Sequence, residues 1–325
     1  MQTRWAVLGP GEISGYFARA LPRSQFGMLH AVGSSDPSRA SAFASQYAAP
    51  VSGTYDDILS RDDVDAVYIG TVHTSHAELV EAALRAGKAV LCEKPATTNL
   101  ADAERVLAVA AETNRPFLEA FKCRFGPLAD RLRALIEERA IGDIVATEAS
   151  FGFAAGERSG RLFDPDLAGG AVLDAGGYPA SFAVGVAAWA GLDLNGVVGD
   201  VEGYIGDTGV DEDAAATLRF GDSRARIRTS IVTELPLSAT ITGTEGNIEI
   251  PDVWGSRTES ASTLIVRRAG EDPARIAVEV VDPFAAEADA LSFALAEGRL
   301  EVPQMPWSHT RAVARVLENW RRSIG

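Results

Sequence analysis

From Thr3 to Phe121 the chain alternates short apolar runs with helix-like stretches, and few folds accommodate that rhythm. The runs 3–9, Met28–Gly33, Asp65–Thr71, 88–92 and 116–121 read as strands. Ile13–Leu21, Ala40–Tyr47, 76–86 and 101–112 read as helices, with a short helical turn at Asp56–Leu59. The strand DAVYIGT (65–71) is apolar on both phases, the pattern of a strand covered on both faces. Strands and helices alternating at this spacing imply right-handed crossovers and a doubly wound parallel sheet, an α/β fold.

Past residue 125 the rhythm changes. A helix over 128–139 leads into a long strand, Ile144–Phe153, then a Gly-rich loop and a helix over 175–190. From 197 to 281 strands follow one another through short turns, which implies an antiparallel sheet; Asp200–Asp213 reads as a loop-bounded edge strand. Helices over 284–297 and 308–322 close the chain. The predicted organisation is an α/β domain over 1–123 and an α+β domain with a large open, mostly antiparallel sheet over 124–325. Val, Ile and Leu fall on both phases of the later strands. An open sheet with an apolar face needs a cover, so a homodimer or homotetramer through that sheet is expected.

Composition narrows the partners. Forty-six per cent of the 325 residues are hydrophobic, enough for a sizeable core. A net charge of −15 argues against nucleic acid and against anionic membranes. No apolar run approaches the roughly 20 residues of a membrane span. A strand beginning at Thr3 leaves no room for a leader, so a cytoplasmic location is expected. Cys92 and Cys123 lack metal spacing and read as free, buried thiols. His73 and His76 have no carboxylate or thiol completing a set, so no metal is expected.

The first strand ends in Gly9-Pro10-Gly11-Glu12-Ile13-Ser14. After a strand and before a helix, this glycine turn is the place where a dinucleotide pyrophosphate meets a helix N-terminus. Gly9, Gly11, Glu12 and Ile13 are the residues expected to hold it. The second strand ends at Ser34, where an acidic residue would hold a ribose 2′-OH, and Arg39 follows in the next helix. A hydroxyl with a guanidinium suits a 2′-phosphate, which favours NADP, with NAD as the alternative. Asp36, just before Pro37, reads as a helix cap. The strand 88–92 delivers Glu93-Lys94-Pro95, setting a protonatable amine where a nicotinamide ring would lie.

Six segments carry a family resemblance: GPGEIS (9–14), DAVYIGT (65–71), HAELVEAALRAGKAVLCEKP (76–95), EAFKCRF (119–125), LAGGAVLDAGGYP (167–179) and GTEGNIEIP (243–251). Together they resemble the Gfo/Idh/MocA oxidoreductases, in the branch of dihydrodiol dehydrogenase, xylose dehydrogenase and glucose–fructose oxidoreductase. The resemblance implies a Rossmann domain followed by an open-faced domain, and hydride transfer between nicotinamide and a carbinol of a sugar, polyol or dihydrodiol. It implies that Lys94 holds nicotinamide and substrate oxygen and supports proton transfer, with Glu93 orienting it or binding the ribose. Asp174 and Tyr178 match the family's D-x-G-x-Y pattern. On one helix they would share a face, the phenol giving or taking a proton and the carboxylate bonding the substrate hydroxyl. Thr71, His73 and His76 correspond to a run lining the nicotinamide ribose, although Val72-His73 stands where relatives have Pro-Asn. Arg124 matches an arginine expected to reach cofactor or substrate. Arg161 lies one residue out of register with another arginine of the family. The competing reading is a non-catalytic NADP-binding sensor. Intact Lys94, Asp174 and Tyr178 argue against it.

Overall fold

The computed structural model describes residues 2–324. In chain order, the first part of the chain forms β1 (Thr3–Leu8), α1 (Glu12–Ala20), β2 (Gly27–Gly33), α2 (Pro37–Gln46), β3 (Val51–Gly53), α3 (Tyr55–Leu59), β4 (Ala66–Ile69), α4 (His76–Arg85), β5 (Ala89–Glu93), α5 (Leu100–Thr113) and β6 (Phe117–Ala120). The six strands run parallel in the order β3-β2-β1-β4-β5-β6. The order reverses between β1 and β4, the switch point where ligands of doubly wound sheets bind. Period-two alternation sends Ala6, Leu8, Val67, Ile69, Val90 and Cys92 to one face, where they pack on Val80 and Leu84 of α4 and Val106 of α5. On the other face Tyr68 stacks on Phe17 of α1 at 4.0 Å, with Trp5 edge-on to the same ring at 5.2 Å.

Then follow α6 (Pro127–Glu137), β7 (Ile144–Gly152), α7 (Ala171–Asp174), α8 (Gly177–Trp189), β8 (Val197–Ile205), β9 (Asp211–Phe220), β10 (Ser223–Ser230), β11 (Ala239–Gly243), β12 (Gly246–Ile250), β13 (Thr263–Arg268) and β14 (Ala274–Ala277). The eight strands take the order β14-β13-β12-β11-β7-β10-β9-β8, antiparallel except for β7 beside β10. Of the segment Asp200–Asp213 read as an edge strand, 200–205 end the edge strand β8, 206–210 form the turn and 211–213 open its neighbour β9. One face of this sheet packs on α6 and α8 through Leu132, Leu135, Phe182, Val186, Ile241 and Ile248. Buried along most of its length, α8 is apolar on all sides.

Two expectations need correction. The last elements are α9 (Pro283–Ala296) and α10 (Trp307–Arg322). The chain divides into two compact units, and Val281–Trp307 belongs to the first, not to everything after residue 123. The reason is physical: the face of the parallel sheet that carries Tyr68 needs a second cover beside α1, and α9 supplies it. Asp289 accepts hydrogen bonds from Ser24 and from the Gln25 and Phe26 amides, and Arg23 pairs with Asp282 at 2.8 Å. Nor is the open face of the second sheet apolar. On β10, Ala225 and Ile227 are buried while Arg224, Arg226 and Arg228 stand exposed. Cross-strand ion pairs, Arg228 with Asp213 and Arg267 with Glu249, each at 3.1 Å, occupy the outward side. Most of the buried apolar residues lie on the phase turned to the helices, while Val145 on β7 and Val197, Tyr204 and Ile205 on β8 stand exposed. Among the described residues, no single helix is long and apolar enough to cross a membrane.

Candidate active site

The glycine turn is built by close approach. Gly9 sits at φ +88°, and a Cβ there would lie 2.5 Å from Thr71 Cγ2 at the end of β4. No larger residue fits that backbone or that gap. Ser14, buried where a third glycine often stands, donates to the Gly9 carbonyl at 2.6 Å. It packs so tightly on Gly70 that a Cβ at residue 70 would meet its hydroxyl at 2.3 Å. Gly11 is different. A Cβ there would touch only the Gly70 carbonyl, at an ordinary 3.7 Å. Gly11 is also the N-cap of α1, and no side chain caps that helix. An uncapped helix N-terminus behind a glycine with open space before it fits a pyrophosphate, with Glu12 and Ile13 in the first turn.

The end of β2 fits the same ligand. Ser34 is buried, its amide donating to the Gly53 carbonyl at 3.1 Å. Asp36 caps α2, accepting from the Ser38 amide and hydroxyl; these bonds hold its carboxyl below the usual range and leave it turned to the helix. Arg39, exposed, leans back to donate to the Pro10 carbonyl at 3.4 Å. A guanidinium therefore stands at the glycine turn, with Ser34 in the acidic residue's place.

At the end of β5 the chain turns through Glu93, Lys94 and Pro95, the Lys94–Pro95 bond being cis. Glu93 is buried and accepts from the Tyr68 hydroxyl at 2.7 Å. Burial pushes its carboxyl up, opposed by the Lys94 ammonium. The Tyr68 hydroxyl is raised too, by burial and then by Glu93. Beyond Pro95, the Ala96 amide donates to Glu119 Oε1 at 3.0 Å. Glu119, buried on β6, had no role in the sequence reading; its place beside the turn is a tertiary fact. His73 and His76 are both buried, their rings 5.8 Å apart. His76 puts Nδ1 2.9 Å from the Pro95 carbonyl and Nε2 3.2 Å from the Thr71 carbonyl.

In the second unit, Asp174 and Tyr178 do not share one helix. α7 ends at Asp174 and α8 begins at Gly177, with a bend of 49° between the helical segments. Gly176 allows it: a Cβ there would lie 2.7 Å from the Val172 carbonyl. Asp174 is buried and pairs with Arg161 at 2.6 Å, so the arginine set aside in sequence is its partner. Tyr178 is half-buried, its ring against Phe151 at 4.7 Å and Trp254 at 5.6 Å. Arg124 is placed otherwise than its motif suggests. Only 1 % exposed, it donates to the Ser181 carbonyl at 2.7 Å, contacts His309 Nδ1 at 2.9 Å and lies over the Trp189 ring. Burial lowers its pKa to about 10. Its guanidinium is spent inside the second unit, because a buried charge must be bonded where it lies. Among the described residues, no group of three or more His, Cys, Asp or Glu side chains could hold a metal.

Comparison with known proteins agrees with this construction. Residues 3–121 match the model of an oxidoreductase family with an NAD-binding Rossmann fold, and 129–249 match the GFO/IDH/MocA C-terminal domain. The chain is 31% identical to trans-1,2-dihydrobenzene-1,2-diol dehydrogenase of Xenopus tropicalis over all of its own length and 99% of that protein. It is likewise 31% identical to the human protein of that name, with 100% and 98% covered. Among solved structures, a 3-ketoreductase from Actinomadura kijaniata in complex with NADP and TDP-benzene superposes with a TM-score of 0.87 at 25% identity, covering 100% of this chain and 98% of that one. An aldose–aldose oxidoreductase from Caulobacter crescentus shares the fold with a TM-score of 0.86 at 24% identity, covering 99% and 98%. The chain belongs to the GFO/IDH/MocA family of NAD(P)-dependent oxidoreductases.

Proposed function

We propose that this protein oxidises a secondary carbinol of a diol or sugar-like substrate, or reduces the matching carbonyl, with NADP in preference to NAD. The observation that carries the reading is the β1–α1 turn: open space before Gly11, an uncapped helix start, and Arg39 bonded to Pro10. NADP, when bound, would supply the hydride acceptor for the carbinol carbon, or in its reduced form the hydride donor for the carbonyl carbon. The chain's own residues do the rest. Arg39 and Ser34 receive the 2′-phosphate, and Thr71 lines the ribose end. Lys94 offers an ammonium to the substrate oxygen, which carries alkoxide charge once its proton is taken and becomes the carbonyl oxygen as hydride leaves the carbon. Tyr178 takes the hydroxyl proton, or gives it in the reverse direction. Asp174, paired with Arg161, accepts a hydrogen bond from a substrate hydroxyl.

The dihydrodiol dehydrogenases and the NADP-complexed 3-ketoreductase support a vicinal diol or keto-sugar as the substrate class. Self-association through the outer face of the second sheet is also proposed. It would use the polar face just described and the exposed Tyr204 and Ile205 on edge strand β8. The test is absorbance at 340 nm with NADP or NAD against a panel of trans-dihydrodiols, aldoses and nucleotide-linked sugars. NADP-dependent turnover of at least one class is expected. Tight cofactor binding with no turnover of any would favour a sensor.

A further inference from the structure

His76 opens α4 and is completely buried. The two carbonyls at its ring nitrogens belong to different strand ends. Thr71 follows β4 and adjoins the glycine turn at Gly9, whereas Pro95 follows Lys94 at the end of β5. The ring therefore lies between the lysine turn and the strand end on the cofactor side of the sheet. A neutral imidazole has a single N–H, and the carbonyl of Pro95 is the nearer acceptor. Two other buried carboxylates grip the same turn: Glu93, bonded to Tyr68, and Glu119, bonded to the Ala96 amide. The His76 ring also lies beside the Thr71 carbonyl.

We propose that His76 is a positioning residue for the reaction. It fixes the Lys94–Pro95 turn against the Thr71 strand end, and so the height of the Lys94 ammonium, without touching cofactor or substrate. The bond from Nδ1 to Pro95 carries the effect; Nε2, without hydrogen in that tautomer, only packs beside the Thr71 carbonyl. The inference rests on the reading of Lys94 given above.

Asparagine and glutamine separate the two contacts, because an asparagine amide nitrogen falls near the position of Nδ1 and a glutamine amide near that of Nε2. His76→Asn should keep kcat within about threefold of wild type. His76→Gln should lose roughly 10- to 100-fold, the scale on which a misplaced catalytic group costs rate. NADPH affinity, followed by fluorescence titration, should stay within about twofold in both, since a positioning residue acts on kcat and not on ground-state binding. Wild-type kcat in both variants overturns the proposal, and so does cofactor affinity falling in step with kcat. A readout without substitution is the ¹⁵N spectrum of histidine-labelled wild-type protein: Nδ1 of His76 should carry hydrogen, and a bare Nδ1 overturns the proposal. Lys94→Met measured alongside distinguishes the failures. If that variant turns over normally, the role of Lys94 falls. If it is inactive while both His76 variants are unimpaired, only the role of His76 falls.

Discussion

At the scale of the residue, the tightest constraint is at Gly9, where a positive φ and a 2.5 Å approach to Thr71 coincide. Gly9→Ala should cost about 1–3 kcal/mol of stability, the range for forcing a side chain into such backbone. It should also weaken NADPH binding at least about tenfold, because the turn must move to relieve the clash. Urea denaturation and fluorescence titration measure the two effects. Arg39→Gln removes a charged donor from the proposed 2′-phosphate site. Losing a charge-assisted bond of about 1.5–3 kcal/mol should lower the preference for NADP over NAD roughly 10- to 100-fold, read as the ratio of kcat/KM values. Lys94→Met should lower kcat by two orders of magnitude or so while the fold and NADPH affinity persist. Much at this scale was legible in the sequence. The glycine turn, Ser34, Arg39 and Lys94 sit where strand ends place them, and strand ends follow from local pattern. The direction of a long side chain does not follow. Arg124 turns inward, Arg161 reaches Asp174, and His76 is buried, all because of neighbours distant in sequence.

Among elements, α7 and α8 show where periodicity misleads. The sequence reads as a helix over 175–190 with Asp174 and Tyr178 on one face, yet the Gly176-Gly177 pair separates α7, which ends at Asp174, from α8. α9 shows a second limit: its composition says that it is buried and nothing about which sheet it covers. α8 also makes a testable demand. Gly185 packs against the buried guanidinium, and a Cβ there would lie 2.2 Å from Arg124 Nη1. Gly185→Ala must push Arg124 off the Ser181 carbonyl and leave a buried charge poorly bonded. A cost of about 3–5 kcal/mol is expected, visible as a lower midpoint in urea denaturation. The open sheet was misread for a related reason. Central strands such as β9 and β10 alternate, so counting apolar residues over both phases hides the fact that only one of their phases faces the helices.

For the molecule as a whole, acid stability follows from the same buried arginine. Burial and then Arg124 lower the His309 pKa to about 3, so the folded protein holds that ring neutral while the unfolded chain protonates it near 6.5. The unfolded state binds more protons between those values, so this contribution is intact above about pH 6.5 and is lost as pH falls. The loss reaches about 2 kcal/mol at pH 5. His309→Asn keeps an acceptor for Arg124 but cannot titrate, and its stability should depend less on pH between 7 and 5. Assembly is tested by light scattering: a dimer is expected at twice the 34.3 kDa chain mass. The most direct test of the central claim, hydride transfer by this chain, is the fate of deuterium from NADPH labelled at C4 during reduction of a keto-sugar or diketone. Deuterium on the new carbinol carbon is the predicted result. NADPH bound tightly, with no deuterium passed to any carbonyl substrate of these classes, would contradict it.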